Sequence, residues 1–194
     1  MVYFVCGHRG CGKSYIINQI KEQIACHVFD TGPILRESFR RLNLDMSFQE
    51  WVKINEKKYG KTFTNQIICQ NIHLNNNDIS IIVGNRSMNG INYILEYFNI
   101  ENYKIIYIDG DYELFRTNYN RRENKNLNIS EFNSIIDLEN SMGIEQIEYF
   151  VKNNCDKGLY FFKKSNNDEL SDEIMFEIKN LPKVKTKKLG TKGG

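Results

Sequence analysis

The sequence predicts an α/β fold, a single parallel sheet of five strands with helices on both faces. Five short apolar runs are spread along the 194 residues, each about as long as a buried strand. Between them, apolar residues recur every three or four positions, as they do on one side of a helix. The unusual glycine and polar segments each follow directly on one of these runs. Strands buried on both faces read as continuous apolar stretches, and parallel sheets bind their ligands at the carboxyl ends of their strands.

The elements follow in order. Residues 2–6 form the first run and end at Gly7. Beyond Lys13, Ile16, Ile17, Ile20 and Ile24 mark a helix face. Residues 27–29 are a second strand, followed by Asp30-Thr31-Gly32-Pro33 and a helix over 34–41. Proline just inside a helix start is favourable, because the N–H it lacks would have no partner there. Ser47-Phe48-Gln49-Glu50 has the form of a capping box and opens a helix to about residue 57. A further helix is expected over 65–74.

Residues 80–83 are the third strand, ending at Gly84-Asn85-Arg86-Ser87. Ile91, Ile94, Leu95 and Phe98 mark the helix after it. Residues 104–108 are the fourth strand. Asp111 is placed to cap a helix running to Arg122, and Ser130 to cap another that ends at Gly143. Ile144, Ile147 and Val151 continue as a helical face, 159–162 form the fifth strand, and 169–180 a last helix stopped by Pro182. No repeat or linker interrupts this pattern, so residues 1–182 read as one domain.

Composition narrows the function. Basic and acidic residues nearly balance, 26 against 24, but five lysines fall in residues 183–194, where there is no acid. The body is therefore slightly acidic, which argues against wrapping a nucleic-acid backbone. The basic tail reads as a disordered end, and it is the one part suited to an anionic partner. The five cysteines show no paired spacing and no segment resembles an export signal, so they read as reduced thiols of a cytoplasmic protein. No apolar stretch approaches the length of a membrane span.

The segment Gly7-His8-Arg9-Gly10-Cys11-Gly12-Lys13-Ser14 fits G-x-x-x-x-G-K-[ST] and lies between a strand and a helix. The pattern is that of a phosphate-binding loop, in which backbone N–H groups cradle the phosphates of ATP. Gly7, Gly10, Cys11, Gly12, Lys13, Ser14 and Tyr15 are the expected nucleotide-binding residues. Lys13 would reach the β- and γ-phosphates, and Ser14 would ligate Mg²⁺. The fold class is then that of a P-loop NTPase, a three-layer sandwich.

A second constellation follows the second strand. Asp30-Thr31-Gly32-Pro33-Ile34-Leu35-Arg36 resembles the D-T-G-x-x-x-R pattern of cytidylate kinases and is similar to the T-G-x-x-x-R of adenylate kinases. Gly84-Asn85-Arg86-Ser87 is similar to the glycine–arginine turn of the same nucleoside monophosphate kinases. The stretch before the fifth strand also resembles dephospho-coenzyme A kinases. This resemblance implies that Arg36 and Arg86, with Asp30, bind the acceptor, since a guanidinium forks well onto phosphate oxygens. It further implies a small helical acceptor-binding insertion over 42–75. A short lid over 112–130 would bring Arg116 and Arg121 onto the transferring phosphoryl group.

The pattern departs from its relatives at Val83, where many carry an aspartate that helps hold Mg²⁺; Asp30 or Asp109 is then the candidate substitute. Trp51, Tyr59 and Phe63 are candidates to stack on a base, or simply to pack the insertion. The reading is ATP-dependent phosphoryl transfer to a nucleoside monophosphate. A kinase of another small acceptor such as dephospho-coenzyme A, and a non-catalytic nucleotide-binding regulator, are the alternatives. Oligomeric state is not legible.

Overall fold

The computed structural model describes residues 1–75, 78–163 and 167–180. The lysine-rich tail and Pro182 lie outside the described residues. The five apolar runs form strands β1 (Val2–Cys6), β2 (Cys26–Asp30), β3 (Ile79–Val83), β4 (Tyr103–Gly110) and β5 (Gly158–Lys163). They make one sheet in the order β2-β3-β1-β4-β5, every pairing parallel, as expected. Because β1 lies in the middle, the loop after it opens at the centre of the sheet's carboxyl edge. The ends of β2 and β3 lie to one side of that loop, with Asp30 paired in register to Val83.

Helices α1 (Lys13–Gln23), α2 (Thr31–Arg41), α3 (Phe48–Tyr59), α4 (Phe63–Asn71), α5 (Met88–Tyr97), α6 (Tyr112–Glu123), α7 (Ile129–Met142), α8 (Ile144–Asn153) and α9 (Asn167–Asn180) connect and cover the strands. Alternation along each strand divides the core in two. Tyr3, Val5, Ile81, Val83, Ile106 and Ile108 face α1, α6, α7 and α9. Val2, Phe4, Cys6, Ile82, Ile105 and Tyr107 face α4, α5 and α8. Burial of these side chains, at about 25 cal/mol per Å² of apolar surface, holds the three layers together.

Several helix starts follow the sequence. Ser47 and Glu50 form the expected capping box, with the Glu50 N–H donating to Ser47 Oγ at 3.2 Å and the Ser47 N–H to Glu50 Oε2 at 2.9 Å. Asp111 caps α6 by accepting the Glu113 N–H at 2.8 Å. Three expectations need correction. Helix α2 starts at Thr31, three residues early, because Asp30 caps it through the Gly32 N–H; Pro33 still falls among the first four N–H positions, where no donor is needed. Helix α7 is capped by Asn128 rather than Ser130, since Asn128 stands three residues before Glu131 and the two close a capping box. Helix α4 ends at Asn71, where extended Ile72 turns the chain into the core.

Residues 42–75 hold α3 and α4, which lean on α2. Trp51 is 4% exposed and is enclosed by Phe39, Phe48 and Phe63, with ring centroids 5.1–5.8 Å away. It is the hub of this small subassembly. Tyr59 stacks on Phe63 at 5.9 Å and is half exposed.

Candidate active site

One side of the candidate site is built by the turn from β1 into α1. Gly10 has φ +83°, and a Cβ there would overlap the Phe115 carbonyl of α6, so the loop lies directly on that helix. Asn118 of α6 donates to the Gly10 carbonyl at 3.0 Å from the same side. Gly12, with φ +95°, precedes α1 without a side-chain cap, and the first turn of α1 has no acid. The first N–H groups of α1 are thus not met by a capping side chain, and with the positive end of the helix dipole they form a seat for an anion.

Lys13 turns back over the loop, donating to the carbonyls of Gly7 (2.6 Å) and His8 (2.9 Å) and lying 3.4 Å from Cys11 Sγ. The Cys11 thiol is fully buried and its N–H donates to the His8 carbonyl at 3.3 Å, so it shapes the loop from beneath. Ser14 and Tyr15 are exposed on the first turn of α1.

Ser14 lines a cleft together with Asp30, Val28, Val83 and the α1 residues Ile17, Asn18 and Lys21. The strand pairing explains this: Val28 and Asp30 point to the α1 face of the sheet, as does Val83. A hydroxyl and a carboxylate in one cleft are the hard oxygen donors that Mg²⁺ prefers. One Asp30 oxygen accepts the Gly32 N–H at 3.1 Å, leaving the other available. Asp109 follows Ile108 on β4 and so falls on the α8 face, where its carboxylate accepts from the Tyr160 hydroxyl. Of the two candidate substitutes for the missing aspartate, the geometry favours Asp30. Among the described residues no group of three or more histidine, cysteine or acidic side chains is placed to hold a metal by itself.

Arg36 curls back over Gly32, whose Cβ position would lie 3.3–3.4 Å from the guanidinium nitrogens and 3.4 Å from Asp30 Oδ1. Arg86 leaves the end of β3 and reaches the same region. Burial lowers its pKa, Glu139 and Asp30 oppose the fall, and the charges of Arg9 and Arg36 add to it. The two arginines singled out in the sequence are therefore electrostatic neighbours, with Arg9 of the loop as a third.

Arg86 is anchored by a residue that the sequence reading did not select. Its Nη1 lies 3.1 Å from Glu139 of α7 and 3.9 Å from Met142 Sδ. Glu139 also accepts the Arg9 N–H (2.9 Å) and pairs with Arg9 Nε (3.2 Å) and His8 Nδ1 (3.3 Å). Burial pushes its pKa up, yet the His8 contact, the Arg86 charge, the Arg9 N–H and Lys13 together hold it down at about 2. A signal was present in the sequence: Glu139 continues the apolar stripe of Phe132 and Ile136, where an acid is costly unless paired.

The arginines expected to close a lid are engaged differently. Arg116 donates through Nε and Nη2 to Glu113 (3.0 and 2.8 Å) and through Nη1 to the Leu127 carbonyl (2.9 Å). With Asn120, which exchanges two hydrogen bonds with Leu127, it pins the turn between α6 and α7. In this conformation the Arg116 guanidinium is thus occupied by Glu113 and Leu127. Arg121 is exposed in the last turn of α6, one helical turn beyond Asn118. No described helix is long and apolar enough to cross a membrane.

No protein-family model and no curated protein matches this sequence. Solved structures do match in fold. A gluconokinase from Sinorhizobium meliloti 1021 aligns with a TM-score of 0.57 at 10% identity, covering 93% of this chain and 92% of its own. A shikimate kinase from Acinetobacter baumannii, in complex with shikimate, gives 0.54 at 13% identity, covering 93% and 95%. An uncharacterized protein from Eubacterium ventriosum gives 0.51 at 12% identity, covering 92% and 98%. The five-stranded parallel α/β architecture of this chain is accordingly shared with that gluconokinase and that shikimate kinase.

Proposed function

We propose that the protein transfers the γ-phosphoryl group of ATP to a small anionic acceptor, and that the acceptor is a nucleoside monophosphate. One observation carries this reading: an uncapped helix N-terminus with Lys13 stands at the same sheet edge as the neighbouring guanidiniums Arg36 and Arg86. A plain NTPase has no acceptor anion to hold, so a second cationic site beside the first favours a kinase. The fold shared with a gluconokinase and a shikimate kinase supports phosphoryl transfer without selecting the acceptor.

In this reading ATP lies along the loop, its phosphates on the α1 N-terminus and Lys13. When bound, Mg²⁺ would be held by Ser14, Asp30 and the nucleotide, and would neutralise phosphate charge. Arg36 and Arg86 align the acceptor, whose phosphate oxygen is already ionised at neutral pH and needs no general base. Arg121, and Arg116 after release from Leu127, would close over the reaction and exclude water. Catalysis is then mostly positioning and electrostatics.

The test is a panel of nucleoside monophosphates with gluconate, shikimate and dephospho-coenzyme A, incubated with ATP and Mg²⁺. Conversion of one monophosphate to its diphosphate, lost in Lys13→Ala and Arg36→Ala, is the expected result. Transfer only to a non-nucleotide acceptor would move the protein to another class of small-molecule kinase. The second reading, a nucleotide-binding protein without transfer, is favoured by buried Val83 in the cleft beside Ser14. Tight ATP binding with no product from any acceptor would establish it.

A further inference from the structure

Glu139 is 2% exposed, and a carboxylate so buried survives only if its lone pairs are matched. Both oxygens are met. Oε2 accepts the Arg9 N–H and lies 3.3 Å from His8 Nδ1, while Oε1 forms ion pairs with Arg9 Nε at 3.2 Å and Arg86 Nη1 at 3.1 Å. Three of these contacts end on the phosphate loop and the fourth on the arginine at the end of β3. One oxygen therefore holds two guanidiniums that would otherwise repel each other.

Neither arginine is used up by this. The side-chain contacts of Arg9 run through Nε and those of Arg86 through Nη1, and the two side chains remain 30% and 35% exposed. Each keeps donors for a further partner. Arg36 adds a third guanidinium from α2. Cations arriving from three separate elements suit a phosphate, with three terminal oxygens, better than a planar carboxylate, which one guanidinium fork can satisfy.

We propose that Glu139 is a positioning residue that sets Arg9 beside Arg86 as a paired-guanidinium seat for a phosphate group where the donor loop meets the acceptor site. Arg9 is the loop's own ligand to that group. The proposal rests on the reading of Arg86 as an acceptor ligand. It adds a role for a loop residue outside the motif's specified positions, and for an acid more than a hundred residues away.

The experiment is a calorimetric titration of inorganic phosphate into the protein saturated with Mg²⁺ and ADP, which fills the loop and leaves the junction open. Wild type is expected to take up one phosphate. Arg9→Gln and Glu139→Gln should each weaken that uptake about tenfold, while affinity for ADP changes less than threefold. The acceptor KM should rise with the phosphate dissociation constant. If buried Glu139→Gln fails to fold, Glu139→Asp, which keeps the charge and shortens its reach, takes its place and should weaken phosphate uptake likewise.

No phosphate uptake by wild type, unchanged uptake in the variants, or equal loss of ADP and phosphate affinity would each overturn the seat. Wild type that binds phosphate but transfers to no acceptor sinks the kinase reading and leaves the seat standing. Wild type that transfers, with variants that keep normal phosphate affinity and acceptor KM, sinks the seat alone.

Discussion

Glu139 should make stability depend on pH in a window that one substitution isolates. Its carboxyl titrates near 4.5 when free and at about 2 in the folded protein. That separation corresponds to about 3 kcal/mol. The sign follows from the lowered folded pKa. Between the two values the unfolded chain binds a proton that the folded chain refuses. The stabilisation is therefore complete above pH 4.5, shrinks as pH falls through the window, and is gone below about 2. Other carboxylates titrate in the same range, so the informative quantity is the difference between wild type and Glu139→Gln, which keeps the side-chain volume. Urea unfolding followed by Trp51 fluorescence, at pH values from 7 down to 3, measures it. The variant should be less stable by roughly 3 kcal/mol at pH 7, and the gap should narrow steadily below pH 4.5. A gap as wide at pH 3 as at pH 7 would refute the reasoning, because Glu139 would then act through its shape and not its charge.

Three further outcomes are expected. Gly10→Ala forces a Cβ onto the Phe115 carbonyl at a φ of +83°, so stability should fall by about 2 kcal/mol or more and ATP affinity with it; thermal melts and nucleotide titration read both. Asp30→Asn keeps an N-cap for α2, since asparagine caps as well as aspartate, but removes a charge beside Ser14. Its unfolding free energy should stay within about 1 kcal/mol while the Mg²⁺ needed for half-maximal transfer rises by about tenfold, and an unchanged Mg²⁺ requirement would remove Asp30 from the metal site. Trp51→Ala should cost about 3–5 kcal/mol in chemical denaturation, because the ring fills the space between Phe39, Phe48 and Phe63; a loss below about 1 kcal/mol would mean that the insertion does not depend on it.

Much of the turn from β1 into α1 could be read from the sequence because its determinants are local. The loop's glycines, Lys13 and Ser14 lie within eight residues, and the strand before and helix after them announce themselves by apolar spacing. The same holds for Ser47 with Glu50 and for Asp111, where a cap and its partner are neighbours in the chain. At the start of α7 a residue two positions earlier outranks the expected cap. Ser130 is a good capping residue, but Asn128 has the acid at the third position that closes the box, and the closed pair decides the helix start.

The sides of the sheet were harder. Asp30 and Asp109 both end strands at the carboxyl edge, and nothing local separates them. Strand parity does: Ile106 and Ile108 face α1, which sends Asp109 to the opposite face, while Val28 sends Asp30 toward Ser14. That distinction requires knowing which face α1 covers, a property of the whole sheet. Glu139 shows the same limit more sharply. Its partners lie 131, 130 and 53 residues away at His8, Arg9 and Arg86, and they meet because α7 returns across the loop after β4. The sequence does show an acid on the apolar stripe of Phe132 and Ile136, and such an acid must find cations in the folded protein. A buried carboxylate is well matched by guanidiniums, and Glu139 meets those of Arg9 and Arg86. Its position on that stripe therefore points toward the site, although the identities of its partners emerge only when the chain is folded.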